Sequence, residues 1–187
     1  VYAVEPNGDM RKKAEEKLSD NKSFISVNGS SSDTTLPNGS VDNITAAQAF
    51  HWFDPVSFAA ECKRILKPGG RLIIVYNSRD EKAACTMALA ALRRKYSPGF
   101  HGFSNGISDE KCIAFFAGRC DIFRADNTQV YDRQGYIDRV LSSSYSLKEG
   151  NASFAEYLKE IGDIFDEFSE NGSIAVPTAT VAYSGIV

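Results

Sequence analysis

The sequence predicts an α/β fold: a Rossmann-like, doubly wound, mostly parallel sheet with an antiparallel last strand and a helical or loop insertion over the active-site edge. Short apolar strands alternate with amphipathic helices up to residue 76, a pattern typical of parallel strands joined by crossover helices. The segment RLIIVY at 71–76 is almost entirely apolar, as in a strand buried on both faces. Two further strand-like segments near the C-terminus favour an antiparallel pair.

Hydrophobic periodicity assigns the individual elements in order. The predicted strands are Val1–Val4, Phe24–Val27, Val41–Ala47, Arg71–Tyr76, Phe123–Tyr131 and Ile174–Ile186. The predicted helices are Met10–Leu18, Val56–Leu66, Glu81–Tyr96, Ile113–Phe116, Arg133–Ser143 and Ala152–Glu170.

Capping and turn residues set the expected ends of these elements. Asp9 is the predicted N-cap of the first helix, and Pro55 fits the first turn of the second. Lys67–Gly70 is predicted to stop that second helix, and Asn171-Gly172 the last one. The length of 187 residues predicts one domain over 1–187. Within it, residues 79–120 form a predicted substrate-cap insertion around the loop SPGFHGFSNGISDE.

Composition narrows the function classes. A net charge of −3 and a pI near 5.5 argue against a general nucleic-acid binder, because phosphate contacts need a concentrated positive patch; a small specific RNA site stays open. No apolar run is long enough to cross a bilayer, so we expect no membrane contact. The four cysteines form no C-x-x-C pair and no zinc spacing, which predicts reduced thiols, no metal and a cytoplasmic location.

An acidic residue, Glu5, stands where the first strand ends. Open α/β sheets bind ligands at the carboxyl ends of their strands, and an acid placed there accepts hydrogen bonds from the two hydroxyls of a ribose. A non-binding role for Glu5 is equally open at this point, since an acid before a helix can simply be solvated or interact favourably with the helix dipole.

Three stretches, VYAVEPNGDMRKKAEEKL, NGSSSDTTLPNGSVDNITAAQAFHWFD and ILKPGGRLIIVYN, occur in this order. Together they resemble the class I S-adenosylmethionine-dependent methyltransferases, specifically the type 11 small-molecule branch, over about residues 1–77. The resemblance implies methyl transfer, S-adenosylmethionine as the cofactor and a small-molecule acceptor as the partner. It leaves the oligomeric state undefined.

The resemblance also implies a set of cofactor-binding residues. Glu5 would hold the ribose hydroxyls, and the adenine side would be lined by Pro6, Asn7 and Met10. The loop of Ser30, Ser31 and Ser32 would meet the adenine edge, and the ribose and methionine moiety would lie over Ala47, Gln48 and Ala49. Many relatives have an acid where Ser30 aligns, so Ser30 or Asp33 would substitute for it.

One departure from the family pattern is large. The glycine-rich loop that follows the family's first strand does not occur in this sequence. In the family, that strand lies between the strand ending in Glu5 and the strand ending in Ala47. Strands in a sheet are about 4.8 Å apart, and buried unpaired backbone groups cost about 1–3 kcal/mol each. We therefore expect an upstream segment in the full protein, and weak or no cofactor binding if the chain starts at Val1.

Two histidines are candidate substrate residues. His51 follows the third strand and has three open roles: a structural or orienting residue, a substrate contact, or a general base for a protonated nucleophile. Trp52, beside it, is a substrate candidate, although packing beneath the next helix is the favoured interpretation for both Trp52 and Phe53. His101 lies in the predicted cap, where we expect a pocket-lining or surface residue rather than a base.

Three aromatic residues of the predicted cap region are also ambiguous. These residues are Tyr96, Phe100 and Phe103. They would close an apolar substrate pocket, but core packing explains them equally well.

Two other functions compete with methyl transfer. A nicotinamide-dependent oxidoreductase also places an acid after a strand to hold ribose, but it does not explain AAQAFHWFD. A non-catalytic binding module on the methyltransferase fold is the other, because a fold does not guarantee an activity.

Overall fold

The structure is a computed structural model that describes residues 1–103 and 108–187. Residues 104–107, which belong to the predicted cap, lie outside the described residues. The chain forms two compact units. Of the described residues, Val1–Val75, Ser108–Ile122 and Ala182–Val187 form the first unit; residues 76–103 and Phe123–Val181 form the second. The predicted cap segment 79–120 therefore contributes residues to both units.

Strands and helices alternate along the chain, which confirms the predicted α/β class. The strands are β1 (Tyr2–Val4), β2 (Ile25–Val27), β3 (Val41–Ala47), β4 (Leu66–Arg79), β5 (Cys120–Asp126), β6 (Gln129–Tyr131), β7 (Ser169–Glu170), β8 (Ser173–Val176) and β9 (Thr178–Gly185). The helices are α1 (Gly8–Leu18), α2 (Pro55–Ile65), α3 (Ala84–Tyr96), α4 (Asp109–Phe115), α5 (Arg133–Leu141) and α6 (Phe154–Phe168).

The strands pair in three sheets. In the first unit, β1 and β2 form a parallel pair, and β3 is parallel to β4 with Ala47 opposite Val75. The larger sheet has the order β3-β4-β9-β5. In the third sheet, β8 lies between β6 and β7 and is antiparallel to both. The parallel N-terminal pairs and the antiparallel C-terminal pairing were both predicted.

One predicted helix cap and one predicted strand start are wrong. Asn7, rather than Asp9, caps α1: its side chain accepts the backbone N–H groups of Asp9 and Met10. The segment Lys67–Gly70, predicted to lie between helix and strand, is already part of β4. The strand accommodates it because the register between β3 and β4 shifts at this point, and because Gly70 has no Cβ to collide with the carbonyl oxygen of Asp42.

The C-terminal strands are shorter and more numerous than predicted. Pro177 separates β8 from β9, since proline cannot donate to a ladder. The predicted strand Phe123–Tyr131 is likewise divided into β5 and β6. The predicted helix stop Asn171-Gly172 is instead the turn of a hairpin, in which Glu170 pairs with Ser173. Both turn residues have positive φ (49° and 78°), as a tight two-residue hairpin requires.

Each unit has its own apolar core. In the first unit, the ring of Phe58 on α2 packs against Phe50 and Phe53 before the helix and against Phe115 on α4. In the second unit, the apolar stripe of α6 packs with α3, α5 and β8. The fully covered residues there include Leu89, Tyr136, Val140, Tyr157, Ile161 and Ile174.

A partly buried ion pair on α2 holds the loop before β3. Glu61 is only 6% exposed and accepts the Thr34 backbone N–H at 2.7 Å and the Thr34 hydroxyl at 2.5 Å. Arg64 donates to both oxygens of Glu61 at 2.7 Å and to the carbonyl oxygen of Leu36 at 2.7 Å. The hydrogen bonds from Arg64, and secondarily those from Thr34, lower the pKa of Glu61 to about 2. We call Glu61 and Arg64 the α2 clamp.

The clamp predicts a pH-dependent loss of stability. Glu61→Gln should lower the free energy of unfolding by about 1–2 kcal/mol at pH 7, because an amide accepts these bonds more weakly than a carboxylate. The pKa of Glu61 is depressed on folding, so its contribution is complete above the unfolded value of 4.5 and is lost as the pH falls toward 2. The measurement is urea unfolding of both proteins between pH 7 and pH 3.

The matched control is Glu16→Gln, which alters an exposed Glu–Lys pair on α1 and should change the unfolding free energy by less than about 0.5 kcal/mol. Equal stability of Glu61→Gln and the parent protein at pH 7 would show that the clamp does not stabilise the fold.

Candidate functional site

The carboxylate of Glu5 lies where β1 ends. Its backbone N–H donates to the carbonyl oxygen of Val27 at 3.1 Å, which extends the β1–β2 ladder by one residue. Its Oε1 accepts the backbone N–H of Asn7 at 2.8 Å, and its carbonyl oxygen accepts Arg11 Nη1 at 2.8 Å. Among the described residues, no hydrogen bond engages Oε2. The carboxylate is therefore oriented through one oxygen, and the other can accept from a ligand.

The turn after Glu5 is shaped by the cap of α1. Asn7 Oδ1 accepts the backbone N–H groups of Asp9 and Met10 at 3.0 Å each. Pro6 and the 62%-exposed side chain of Met10 lie at the surface next to this cap. Asn7 thus has a structural role as well as its predicted place near adenine.

The serine loop is a tight turn closed by Ser30. The Ser30 backbone N–H donates to the carbonyl oxygen of Asp33 at 2.8 Å, and Ser30 Oγ accepts the N–H groups of Ser32 and Asp33 at 3.3 and 3.1 Å. Ser31 is half-buried and Ser32 exposed. Asp33 uses Oδ1 for the backbone N–H of Thr35 at 3.2 Å and is exposed. The α2 clamp holds Thr34 and Leu36, so the turn is anchored on its C-terminal side.

Backbone strain marks the end of β3. Gln48 has φ of +53°, a left-handed conformation that costs a non-glycine residue about 1 kcal/mol or more. Its backbone N–H nevertheless donates to the carbonyl oxygen of Val75 at 2.9 Å. Ala47 and Gln48 are exposed and Ala49 is half-buried. The chain therefore leaves the sheet abruptly at Gln48, and its small neighbours leave the backbone accessible.

A short 3₁₀ turn, Phe50–Trp52, follows directly. With three residues per turn, Phe50 and Phe53 lie on the same side, and both pack against Phe58 at 6.0 and 4.8 Å between ring centres. The packing interpretation is confirmed for Phe53. It is wrong for Trp52, which is 78% exposed, because the same geometry turns this side chain outward.

The ring of His51 lies 4.7 Å from that of Trp52, measured between centres. His51 is half-buried, and burial lowers the pKa of its imidazole below 6.5. The neutral form, which can accept a proton, therefore predominates at neutral pH. The three roles considered for His51 are all compatible with this position.

The predicted cap residues differ in their surroundings. His101 is exposed in the second unit. Tyr96 donates its hydroxyl to Glu160 at 2.6 Å and stacks edge-on against Tyr157. Phe100 and Phe103 are in edge-to-face contact at 5.1 Å. These aromatic side chains contribute to packing in the second unit, and their role toward a substrate stays a prediction.

Neither the α2 clamp nor the strain at Gln48 was predicted from the sequence. A signal for the clamp was present, because Glu61 falls on the apolar stripe of α2 between Phe58, Cys62 and Ile65. A charged residue on such a stripe needs a partner. No signal distinguished Gln48, since left-handed geometry is usual for glycine and uncommon for glutamine.

Three further observations concern metal ligands, membrane spans and the cysteines. In residues 1–103 and 108–187, no group of three or more His, Cys, Asp or Glu side chains converges as a metal site would require. The same residues contain no helix with the length and apolar character of a membrane span. All four cysteines are free thiols.

Known proteins resemble this chain in sequence. The methyltransferase domain family matches residues 1–74. An uncharacterized methyltransferase of Mycobacterium bovis is 43% identical over 58 residues, 31% of this chain and 24% of its own. A methyltransferase-like protein of Schizosaccharomyces pombe is 43% identical over 102 residues, 49% of this chain and 40% of its own. The chain thus spans 24% and 40% of the lengths of these two relatives.

Solved structures resemble it in fold. A proposed type II methyltransferase from Anaeromyxobacter dehalogenans superimposes with a TM-score of 0.70 at 19% identity, over 100% of this chain and 80% of that protein. An S-adenosylmethionine-dependent methyltransferase from Aquifex aeolicus gives a TM-score of 0.54 at 17% identity, over 100% and 69%. Residues 1–74 are therefore similar to the methyltransferase domain family, and the chain shares the Rossmann-like α/β fold of these solved methyltransferases.

Proposed function

We propose that this chain takes part in methyl transfer from S-adenosylmethionine to a small-molecule acceptor. The observation that carries the proposal is the oriented carboxylate of Glu5 at the carboxyl end of β1, in the same unit as the strained turn at the carboxyl end of β3. Parallel α/β sheets bind nucleotide-like ligands at such strand ends. The family match over residues 1–74 covers both ends.

Each part of the cofactor has proposed partners. Glu5 Oε2 accepts from the ribose, and the Asn7 N–H bond holds the carboxylate in place for this. Of the two substitutes for the family's acid, Asp33 is the better acceptor for the adenine amino group, because the turn uses the Ser30 hydroxyl. The remaining proposed contacts are Pro6 and Met10, Ser31 and Ser32, and Ala47, Gln48 and Ala49.

S-adenosylmethionine supplies a methyl group on a positively charged sulfur, which a nucleophile displaces in line. The leaving thioether needs no proton, so the chain's main task is positioning, worth about 7–11 kcal/mol of the barrier. We propose that His51 and Trp52 border the acceptor. His51 acts as a base only for an acceptor whose nucleophile carries a proton. Residues 79–120, with His101, are proposed to select the acceptor.

Calorimetric titration of the full-length protein tests the proposal directly. Both S-adenosylmethionine and its demethylated product S-adenosylhomocysteine should bind with saturation, and NADH should not. Absence of binding by both sulfur ligands would refute the proposal. Saturating NADH binding in their place would favour the oxidoreductase alternative, and cofactor binding without turnover on any acceptor would favour the non-catalytic module.

Replacing Glu5, the proposed hydrogen-bond acceptor for the ribose, should lower the affinity for S-adenosylhomocysteine. Glu5→Gln should weaken S-adenosylhomocysteine binding about 10- to 100-fold, because a hydrogen bond to a charged group is worth about 1.5–3 kcal/mol. The measurement is the dissociation constant by calorimetry. The control is Glu16→Gln, an exposed carboxylate on α1 that is paired with Lys13 and should bind normally. An unchanged affinity in Glu5→Gln would remove Glu5 from the site.

The role of His51 is separable by a pH profile. If His51 is the base, kcat/KM should rise with pH and level off above its lowered pKa, since only neutral imidazole accepts a proton. His51→Gln should bind S-adenosylhomocysteine normally and lose that inflection together with about 10²- to 10⁴-fold in kcat. Unchanged turnover in this variant would leave His51 a structural residue.

A further inference from the structure

Two arginine side chains of the second unit lie against one phenylalanine ring. The Cζ atom of Arg79 is 5.1 Å from the centre of the Phe103 ring, and Cζ of Arg93 is 5.3 Å from the same centre. Arg93 also lies 5.6 Å from the ring centre of Phe100. Aromatic faces attract a guanidinium, but they carry no negative charge that would neutralise it.

Arg93 is buried and has no counter-ion among the residues that the structure describes. It is 4% exposed, and within the part of the chain that the structure describes its Nε and Nη2 atoms have no hydrogen-bond partner. Over the same residues, neither Arg79 nor Arg93 forms a salt bridge. Burial lowers the pKa of Arg93 to about 10, and the charges of Arg79 and Arg139 act in the same direction. Uncompensated charge of this kind is costly in a folded protein.

The unpartnered atoms indicate a ligand chemistry. Nε and Nη2 lie on the same edge of the guanidinium plane, where their N–H groups point in nearly parallel directions. This edge matches the two oxygens of a carboxylate in a bidentate pair. A second charge nearby, on Arg79, favours an anion further.

The surroundings favour a singly charged organic anion. Phe100 is buried, and it contacts the rings of Phe103 and Tyr145 edge-on at 5.1 and 5.4 Å. These aromatic rings form a favourable apolar contact surface for the carbon skeleton of an organic anion. The cost of desolvating an ion grows with the square of its charge, so a carboxylate enters such surroundings more readily than a dianionic phosphate.

We propose that Arg79, Arg93, Phe100 and Phe103 form a binding site for a small organic carboxylate. Arg93 donates from Nε and Nη2 to its two oxygens, and Arg79 supplies a second positive charge. Arg79 and Phe103 are the members that keep partial exposure, so we place the approach of the ligand on their side. The site lies entirely within the second unit and is independent of the proposed cofactor residues.

Benzoate and benzamide are a matched pair of probes, because they share one ring and differ in the charge and geometry of the acceptor group. Titrated without any cofactor, benzoate should bind with saturation in the millimolar range or tighter, and Tm should rise with the logarithm of benzoate concentration above the dissociation constant. Benzamide should bind at least tenfold more weakly. Equal binding of the two, or tighter binding of inorganic phosphate than of benzoate, would overturn the proposal.

Variants then locate the site. Arg93→Met should abolish the benzoate response while Tm without ligand stays equal or rises, because the unpaired buried charge is gone. Arg93→Lys, which keeps the charge and loses the fork, should weaken benzoate binding at least tenfold. The control is Arg94→Gln, an exposed arginine next to it on α3, which should bind benzoate normally.

A final variant replaces Arg79, the partly exposed arginine of the proposed site, where a substitution should not prevent folding. Arg79→Gln should reduce benzoate affinity several-fold with Tm unchanged. Parent-like benzoate binding in both Arg93→Met and Arg79→Gln would overturn the assignment. If Arg93→Met does not fold, the outcomes for Arg93→Lys and Arg79→Gln decide it in the same way.

Discussion

The hydrogen bond from the Gln48 backbone N–H to the carbonyl oxygen of Val75 constrains the candidate site most strongly. It continues the parallel β3–β4 ladder one residue past the end of β3. The residue that makes it must then turn out of the sheet in a left-handed conformation. Three features directly after Gln48 depend on this change of direction. They are the 3₁₀ turn, the inward-facing rings of Phe50 and Phe53, and the outward-facing side chain of Trp52.

The acidic end of the site is organised by a second set of local bonds. Asn7 orients Glu5 through its backbone and caps α1 through its side chain, so one residue couples the carboxylate to the helix that follows. On the other side, the α2 clamp fixes Thr34 and Leu36 immediately after the serine loop. Much of the rigidity of these loops therefore comes from charged and polar contacts rather than from an apolar core, which makes it sensitive to acid.

The sequence predicted the α/β class, the parallel N-terminal strands and the position of Glu5, because these follow from hydrophobic periodicity and from the rule for strand ends. The predicted ends of helices and strands are wrong where a tertiary strand pairing overrode a local sequence signal. Asn171-Gly172 has the residues of a helix stop, yet the strand pairing of Glu170 with Ser173 makes it a hairpin. The prediction that Trp52 packs beneath the next helix is wrong for a geometric reason. The direction of its side chain is set by the 3₁₀ turn and not by its hydrophobicity.

The carboxyl ends of β1 and β3 are proposed to serve a single cofactor site. The most direct test is an NMR titration of the labelled full-length protein with S-adenosylhomocysteine, following backbone amides. Saturable shift changes are expected for Glu5, Asn7 and Gln48, and they should fit one common dissociation constant. Shift changes confined to other residues, or different dissociation constants for Glu5 and Gln48, would contradict it.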